Sequence, residues 1–285
     1  NRKEGSLNLL AETSDNIKFG TDGWRGIIGF EFNLSNLTRV VAASCQELYY
    51  QYSRKVKSKK ILIGYDRRFM AKEFAEQIIP VIKGCGFEPI LSNSYVTTPS
   101  CSFYVKEMGF LGALVITASH NPYNWLGLKI KNFEGCSVDE SVTKEIEKRI
   151  LLGNHIEKLE GSYELADVKK FHLEKIKSLF DIQFISSSLK KMNIHIIVDS
   201  MHGSAANCLL EIFDSNNLKI VSEIRDDRDP FFGGNPPEPL LNYLDDLKDI
   251  LSKYSKNGVK PLGIIFDGDG DRIAVIDDMG RYCST

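Results

Sequence analysis

The feature that most constrains this chain is an alternation. Short apolar runs, rich in β-branched residues, take turns with stretches whose apolar residues recur every three or four positions. The runs at 60–66, 87–93 and 111–117 read as buried strands, and 72–83 and 99–108 as the helices between them. A polar loop follows, then a strand at 126–131, a helix over 139–152 capped by Ser137 or Asp139, and a helical stretch over 165–180. The serine-rich segment 185–193 reads as a domain junction. The alternation then restarts, with a strand at 194–200, a helix at 204–213, a strand at 218–224, a long Pro/Gly loop and a helix at 240–256. A strand, an acidic loop and a second strand fill 262–277. The pattern predicts an α/β protein of two consecutive three-layer α/β/α domains, 1–187 and 188–285, with mixed, largely parallel sheets. The last residues read as a strand, a turn at 277–280 and the start of a returning strand, as though a further domain began there.

Composition narrows the function classes. The chain has 285 residues with 36 Lys plus Arg against 38 Asp plus Glu, a formal net charge of −2. Such a balance gives no general argument for nucleic-acid or membrane binding, and no run is long and apolar enough to span a bilayer. The six cysteines are scattered without a C-x-x-C pair, which predicts free thiols in a reducing cytoplasm and neither disulfides nor a zinc site.

Three loops carry chemistry-bearing residues, and each adjoins an apolar strand, where open α/β sheets place their ligands. The first, "KFGTDGWRG" at 18–26, has glycines that admit close backbone approach and Arg25, a planar fork suited to phosphate. Alone it is equally a glycine-rich turn with a surface arginine. The second, "TASHNP" at 117–122, gathers Ser119, His120 and Asn121. Serine and asparagine also cap helices, so a cap remains open on these residues alone. A serine hydrolase is disfavoured: there is no G-x-S-x-G elbow, and His120 is badly placed, as the adjacent residue, to act as base.

The third loop is "DGDGDR" at 267–272. Asp267, Asp269 and Asp271 alternate with glycine directly after an apolar strand, and three such carboxylates repel unless a cation sits among them. All-oxygen donors favour a hard cation, and Mg²⁺ when a phosphate shares the site. An EF-hand is excluded, because its glycine and glutamate places hold Arg272 and Asp278. A phosphatase using Asp267 as nucleophile is disfavoured, since that motif usually opens its domain.

Taken together and in this order, "FGTDGWRG", "TASHNP" and "DGDGDR" resemble the signatures of the α-D-phosphohexomutase superfamily, the phosphoglucomutases and phosphomannomutases, and the resemblance runs from Phe19 to Cys283. The resemblance implies that Ser119 carries a phosphoryl group. The serine would give it to a hexose phosphate, form a bisphosphate such as glucose 1,6-bisphosphate, and recover the other phosphoryl group after the sugar reorients. It implies that Asp267, Asp269, Asp271 and an oxygen of phospho-Ser119 hold one Mg²⁺. It implies that Lys129 is the general acid/base, that Arg25, Asn121, Lys129 and Arg272 bind substrate or phosphate, and that His120 and Asn121 orient the loop and the phosphoserine. Electrostatics suits this scheme, since phosphoryl transfer depends on positioning and charge neutralisation. The likeness of "KFGTDGWRGII" and "DPFFGGNPPEP" favours glucose as the sugar, with mannose as the alternative and glucosamine less so. One departure is Leu126, where the family often has asparagine before the glycine matched by Gly127. The other is length: the family's sugar-selecting third domain and phosphate-binding fourth domain have no counterpart here, so little turnover is expected from this chain alone. A non-catalytic phosphosugar-binding remnant is the remaining alternative.

Overall fold

The computed structural model describes residues 17–153, 156–213 and 220–284. Two mixed sheets organise them. The first has seven strands: β1 (Phe19–Gly20), β2 (Gly23–Ile27), β3 (Lys60–Tyr65), β4 (Glu88–Ser92), β5 (Gly112–Ile116), β6 (Trp125–Lys131) and β7 (Glu164–Ala166), in the order β1-β2-β6-β5-β3-β4-β7. Strands β5, β3, β4 and β7 are parallel, β6 runs antiparallel to β5, β2 antiparallel to β6, and β1 antiparallel to β2.

Alternate residues along β3 feed two cores. Ile61, Ile63 and Tyr65 join a cluster with Leu37 and Val41, Phe74, Ile82 and Ile146, from α1 (Leu34–Tyr52), α2 (Ala71–Gln77), α3 (Ile79–Gly84) and α5 (Glu140–Leu152). Leu62 points the other way, to Cys101 and Val105 of α4 (Thr98–Met108) and Val168 of α6 (Val168–Leu179). The period of two in a strand thus sandwiches the sheet between helices, the three layers expected.

The second sheet has the order β12-β11-β10-β8-β9, built from β8 (Ile194–Asp199), β9 (Val221–Ile224), β10 (Lys260–Phe266), β11 (Ile273–Ile276) and β12 (Tyr282–Ser284). β10, β8 and β9 are parallel; β11 and β12 return antiparallel. Leu247 and Leu251 of α9 (Asp245–Lys256) cover Ile197, Ile265 and Ile276. Two further helices, α7 (Ile182–Lys191) and α8 (Cys208–Phe213), pack against β8 and β9.

Several local expectations are corrected. The stretch 72–83 is two helices, because Pro80 has no N–H for the Glu76 carbonyl and its ring crowds that turn. The stretch 165–180 opens with β7, whose backbone pairs with β4 at the sheet edge before α6 begins. The serine-rich segment 185–193 is mostly helical: α7 is capped by Asp181, whose side chain accepts the Phe184 N–H at 2.8 Å. The 187/188 boundary therefore falls inside a helix that packs on β8. The helix expected over 204–213 starts only at Cys208, after a run of turns. Asp139 stands at the start of α5 but gives no side-chain cap. Residues 218–219 of the strand expected at 218–224 lie outside the described residues. Besides β7 and α7, the sequence pattern did not anticipate α1, the longest described helix, or the hairpin strands β1 and β2, which the glycine-rich loop at 18–26 turns out to form.

Candidate active site

The fold brings the three loops to one place. The serine loop leaves the C-terminal end of β5, and the acidic loop leaves the C-terminal end of β10, the ends at which α/β sheets present side chains to ligands. Ser119 is buried and sits in the left-handed backbone region at φ 52°, a conformation that L-residues adopt at a cost. Its hydroxyl donates to Asp267 Oδ2 at 2.7 Å, joining the two sheets across 148 residues of sequence. His120 Nδ1 is 3.4 Å from the same hydroxyl. Burial and then the charges of Arg272 and Arg25 push His120 down to about 4, so it is a neutral imidazole near pH 7.

Asp267 organises its own loop. Its Oδ1 accepts the backbone N–H groups of Asp271 and Arg272, each at 3.0 Å. Gly268 is glycine for a geometric reason: a Cβ there would lie 2.5 Å from the Ser119 carbonyl oxygen. Only a residue without a side chain lets the acidic loop approach the serine loop so closely.

Asp269 is buried against the other sheet. Its Oδ2 accepts the Thr98 hydroxyl at 2.6 Å, and its carbonyl accepts the Thr98 N–H at 2.9 Å, at the first turn of α4. A carboxylate there also meets the positive end of the helix dipole. Lys129 reaches in from β6. Its Nζ is 2.8 Å from Asp22 Oδ2, 2.9 Å from Asp269 Oδ2, and hydrogen-bonded to Asp271. Burial opposes the Lys129 charge, but Asp269, Asp271 and Asp22 outweigh it and hold the ammonium well above the usual lysine range. Reciprocally, burial would raise Asp269, yet Lys129 and the hydrogen bond from Thr98 hold it well below the usual carboxylate range. Burial and the neighbouring charges of Asp269 and Asp271 push Asp267 the opposite way, well up.

These three aspartates have the donor set for a divalent cation. One carboxylate oxygen from each lies within 4.8 Å of the others. Asp269 Oδ1 is buried without a hydrogen-bond partner, an unsatisfied charged acceptor of the kind a metal resolves. All-oxygen ligation fits a hard ion such as Mg²⁺.

The remaining anticipated residues also converge. Arg25, on β2, donates to Asn121 Oδ1 at 2.6 Å, so first loop and serine loop are tied. Arg25 pairs in register with Gly127 on β6, where a Cβ would strike the Trp24 carbonyl oxygen at 2.5 Å. Leu126, the departure from the expected asparagine, is fully buried core. Arg272 points outward, 3.5 Å from Glu238. Residues that sequence reasoning did not single out complete the site: Asp22 and Thr98, already described, and the pair Asp66 and Arg68 at the end of β3. The signal for the last two was a polar "DRR" directly after a buried strand.

This geometry, a buried serine facing two buried aspartates and the exposed Asp271 across two sheets, agrees with the family comparison. The model of phosphoglucomutase/phosphomannomutase alpha/beta/alpha domain I matches residues 16–155, and that of domain II matches residues 170–280. The chain belongs to the α-D-phosphohexomutase superfamily. Within that superfamily it is 27% identical over 278 residues to a phosphoglucosamine/phosphogalactosamine mutase of Sulfurisphaera tokodaii, an alignment covering 92% of this chain and 55% of the relative. It is 28% identical to a phosphoglucomutase of Staphylococcus haemolyticus, covering 92% of this chain and 48% of that one. A solved structure from Thermus thermophilus, named as a candidate phosphomannomutase, superposes with a TM-score of 0.80 at 30% identity, covering 93% of this chain and 58% of that one. The chain thus spans about half the length of the relatives it matches. Among the described residues no helix is long and apolar enough to cross a membrane.

Proposed function

We propose that this chain carries the phosphoryl-transferring half of a hexose-phosphate mutase, with Ser119 as the phosphoryl carrier. The observation that carries this reading is the 2.7 Å contact between Ser119 Oγ and Asp267 Oδ2, made beside two further carboxylates. A hydroxyl in that place has no imidazole base in good reach, but a phosphoryl group on it would add oxygens next to a cation site. Asp267, Asp269 and Asp271 would hold Mg²⁺, which when bound neutralises charge on the transferring phosphoryl group. In the transfer, the bond from phosphorus to Ser119 oxygen breaks and one to a sugar hydroxyl oxygen forms. The sugar hydroxyl loses one proton and the Ser119 oxygen gains one, so no net proton is released. Lys129, an ammonium held by three carboxylates, is the group we assign to this exchange, giving its proton to the Ser119 oxygen and recovering one from the sugar hydroxyl. Arg25 and Asn121 orient the phosphoryl group, Arg272 meets substrate phosphate at the rim, and neutral His120 lines the loop without acting as base.

The sugar tested first is glucose, by the likeness of the first loop and the "DPFFGGNPPEP" segment. Relatives named for glucosamine and for glucose match this chain comparably, so mannose and glucosamine phosphates belong in the same assay. Because the chain spans about half of those relatives, we expect phosphorylation of Ser119 without appreciable mutase turnover from this chain alone. The free thiols fit a reducing, cytoplasmic setting for such an enzyme.

The test is incubation with Mg²⁺ and glucose 1,6-bisphosphate, read by intact mass and peptide mapping. One phosphoryl group on Ser119, lost in Ser119→Ala and with chelator, is expected. A phosphoryl group on Asp267, or none on a folded chain that binds Mg²⁺, would sink the proposal.

A further inference from the structure

Arg68 is a fully buried arginine that directs its guanidinium at a single loop. Its Nη2 donates to the carbonyl oxygens of Ser119 and Asn121 at 2.5 and 2.8 Å. Its Nη1 donates to those of Pro122 and Trp125 at 2.9 and 3.3 Å. Its Nε lies 3.2 Å from Asp66 Oδ2. The four donors on the two terminal nitrogens are thus all directed to backbone carbonyls of the serine loop and of Trp125, where β6 begins. Asp66 supports the same loop from the other side: it accepts the Thr117 hydroxyl at 2.6 Å, and that oxygen in turn accepts the Ser119 N–H at 2.9 Å. Asp66 also accepts the Arg68 backbone N–H at 3.0 Å, which fixes the turn carrying the arginine.

The outer face of the guanidinium is closed by the second half of the chain. The Phe232 ring lies 4.9 Å from it, and Arg228 donates to the Arg67 and Arg68 carbonyls at 3.1 and 3.3 Å. Arg67 donates back to the Asp226 carbonyl at 2.6 Å.

We propose that Arg68 is a positioning residue: it gathers four carbonyls of the loop 119–125 and so holds Ser119 in its left-handed conformation, with its hydroxyl aimed at the acidic loop. A bare loop would relax toward commoner backbone angles and swing that hydroxyl away. Arginine is required, because lysine offers one compact charge and cannot reach four carbonyls in a fixed fork. The proposal rests on the reading of Ser119 as phosphoryl carrier, but its first consequence, order in the loop, does not.

The experiment compares the full chain with Arg68→Met and Arg68→Lys by hydrogen exchange, and by the rate of Ser119 phosphorylation with Mg²⁺ and glucose 1,6-bisphosphate. Relative to the strand 60–65, exchange in 117–125 should rise by about tenfold or more in Arg68→Met, as expected for losing hydrogen bonds to a charged donor. Arg68→Lys should show the same selective rise, and phosphorylation should slow in step with it. Exchange in 117–125 that matches the wild type in a folded variant overturns the proposal, and so does a rise spread evenly over all strands. If Arg68→Met does not fold, Arg68→Lys alone decides by the same two criteria. If the wild type is never phosphorylated on Ser119, the reading of function fails, and the exchange pattern still decides the role of Arg68.

Discussion

At the scale of single residues, His120 shows how environment sets chemistry. With its folded pKa down at about 4 from 6.5, the folded chain binds fewer protons than the unfolded chain between those values. Stability from this group is therefore complete above 6.5 and is lost as pH falls toward 4. Urea unfolding at a series of pH values should show that loss, and His120→Gln should flatten it; an unchanged slope in the variant would rule the group out. A phosphoryl group on Ser119 would reverse the local charge and move the window upward. Ser119, Asn121, Arg25 and the three aspartates stood out because glycine, proline and buried strands frame them, whereas Lys129 was anticipated only through the family resemblance. Arg68 was not, because "DRR" contains two adjacent arginines and only the fold decides which one is buried: Arg68 is, whereas Arg67 keeps partial exposure. A lone charged residue reads as surface until its partners are known.

Among the elements, strands were easier to read than helices. Continuous apolar runs have few alternative fates in a chain of this composition. The helix α1 nonetheless had its signal: Leu34, Leu37, Val41 and Leu48 repeat at helical spacing behind Asn33. Asn33 Oδ1 accepts the Asn36 N–H at 2.9 Å, a side-chain cap. Asn33→Ala should lower stability by about 1 kcal/mol in thermal or denaturant unfolding, with Asn33→Asp nearly neutral. No measurable loss would mean that packing of α1, and not its cap, sets its start. The edge strand β7 had no signal of its own. Three residues acquire strand geometry there only because β4 offers unpaired backbone groups, a tertiary effect that local pattern does not carry. The serine-rich helix α7 was hidden by composition, although Asp181 and the spacing of Ile182, Ile185 and Leu189 mark it.

Over the whole molecule, the two sheets meet through loops that interlock at backbone distance. Gly268 faces the Ser119 carbonyl, and Gly270 faces Thr97, where a Cβ would lie 2.8 Å from the Thr97 side chain. Gly268→Ala should therefore force the loops apart, weakening Mg²⁺ binding by titration calorimetry while leaving each sheet folded by circular dichroism. Unaltered Mg²⁺ affinity would show that the loops yield without consequence. Neither half of the alternation carries this information, because the interlock depends on residues far apart in sequence.

Thr98 holds Asp269 at the start of α4, although the aspartate is carried by the other sheet. The cation site we propose on these aspartates is thus braced from both sheets, and its occupancy becomes a measure of their union. A ligand that binds only the assembled form adds about 2.7 kcal/mol at a hundredfold excess over its dissociation constant. Mg²⁺ should accordingly act as a fastener: with it the two sheets melt in one calorimetric transition, and with chelator they come apart in two.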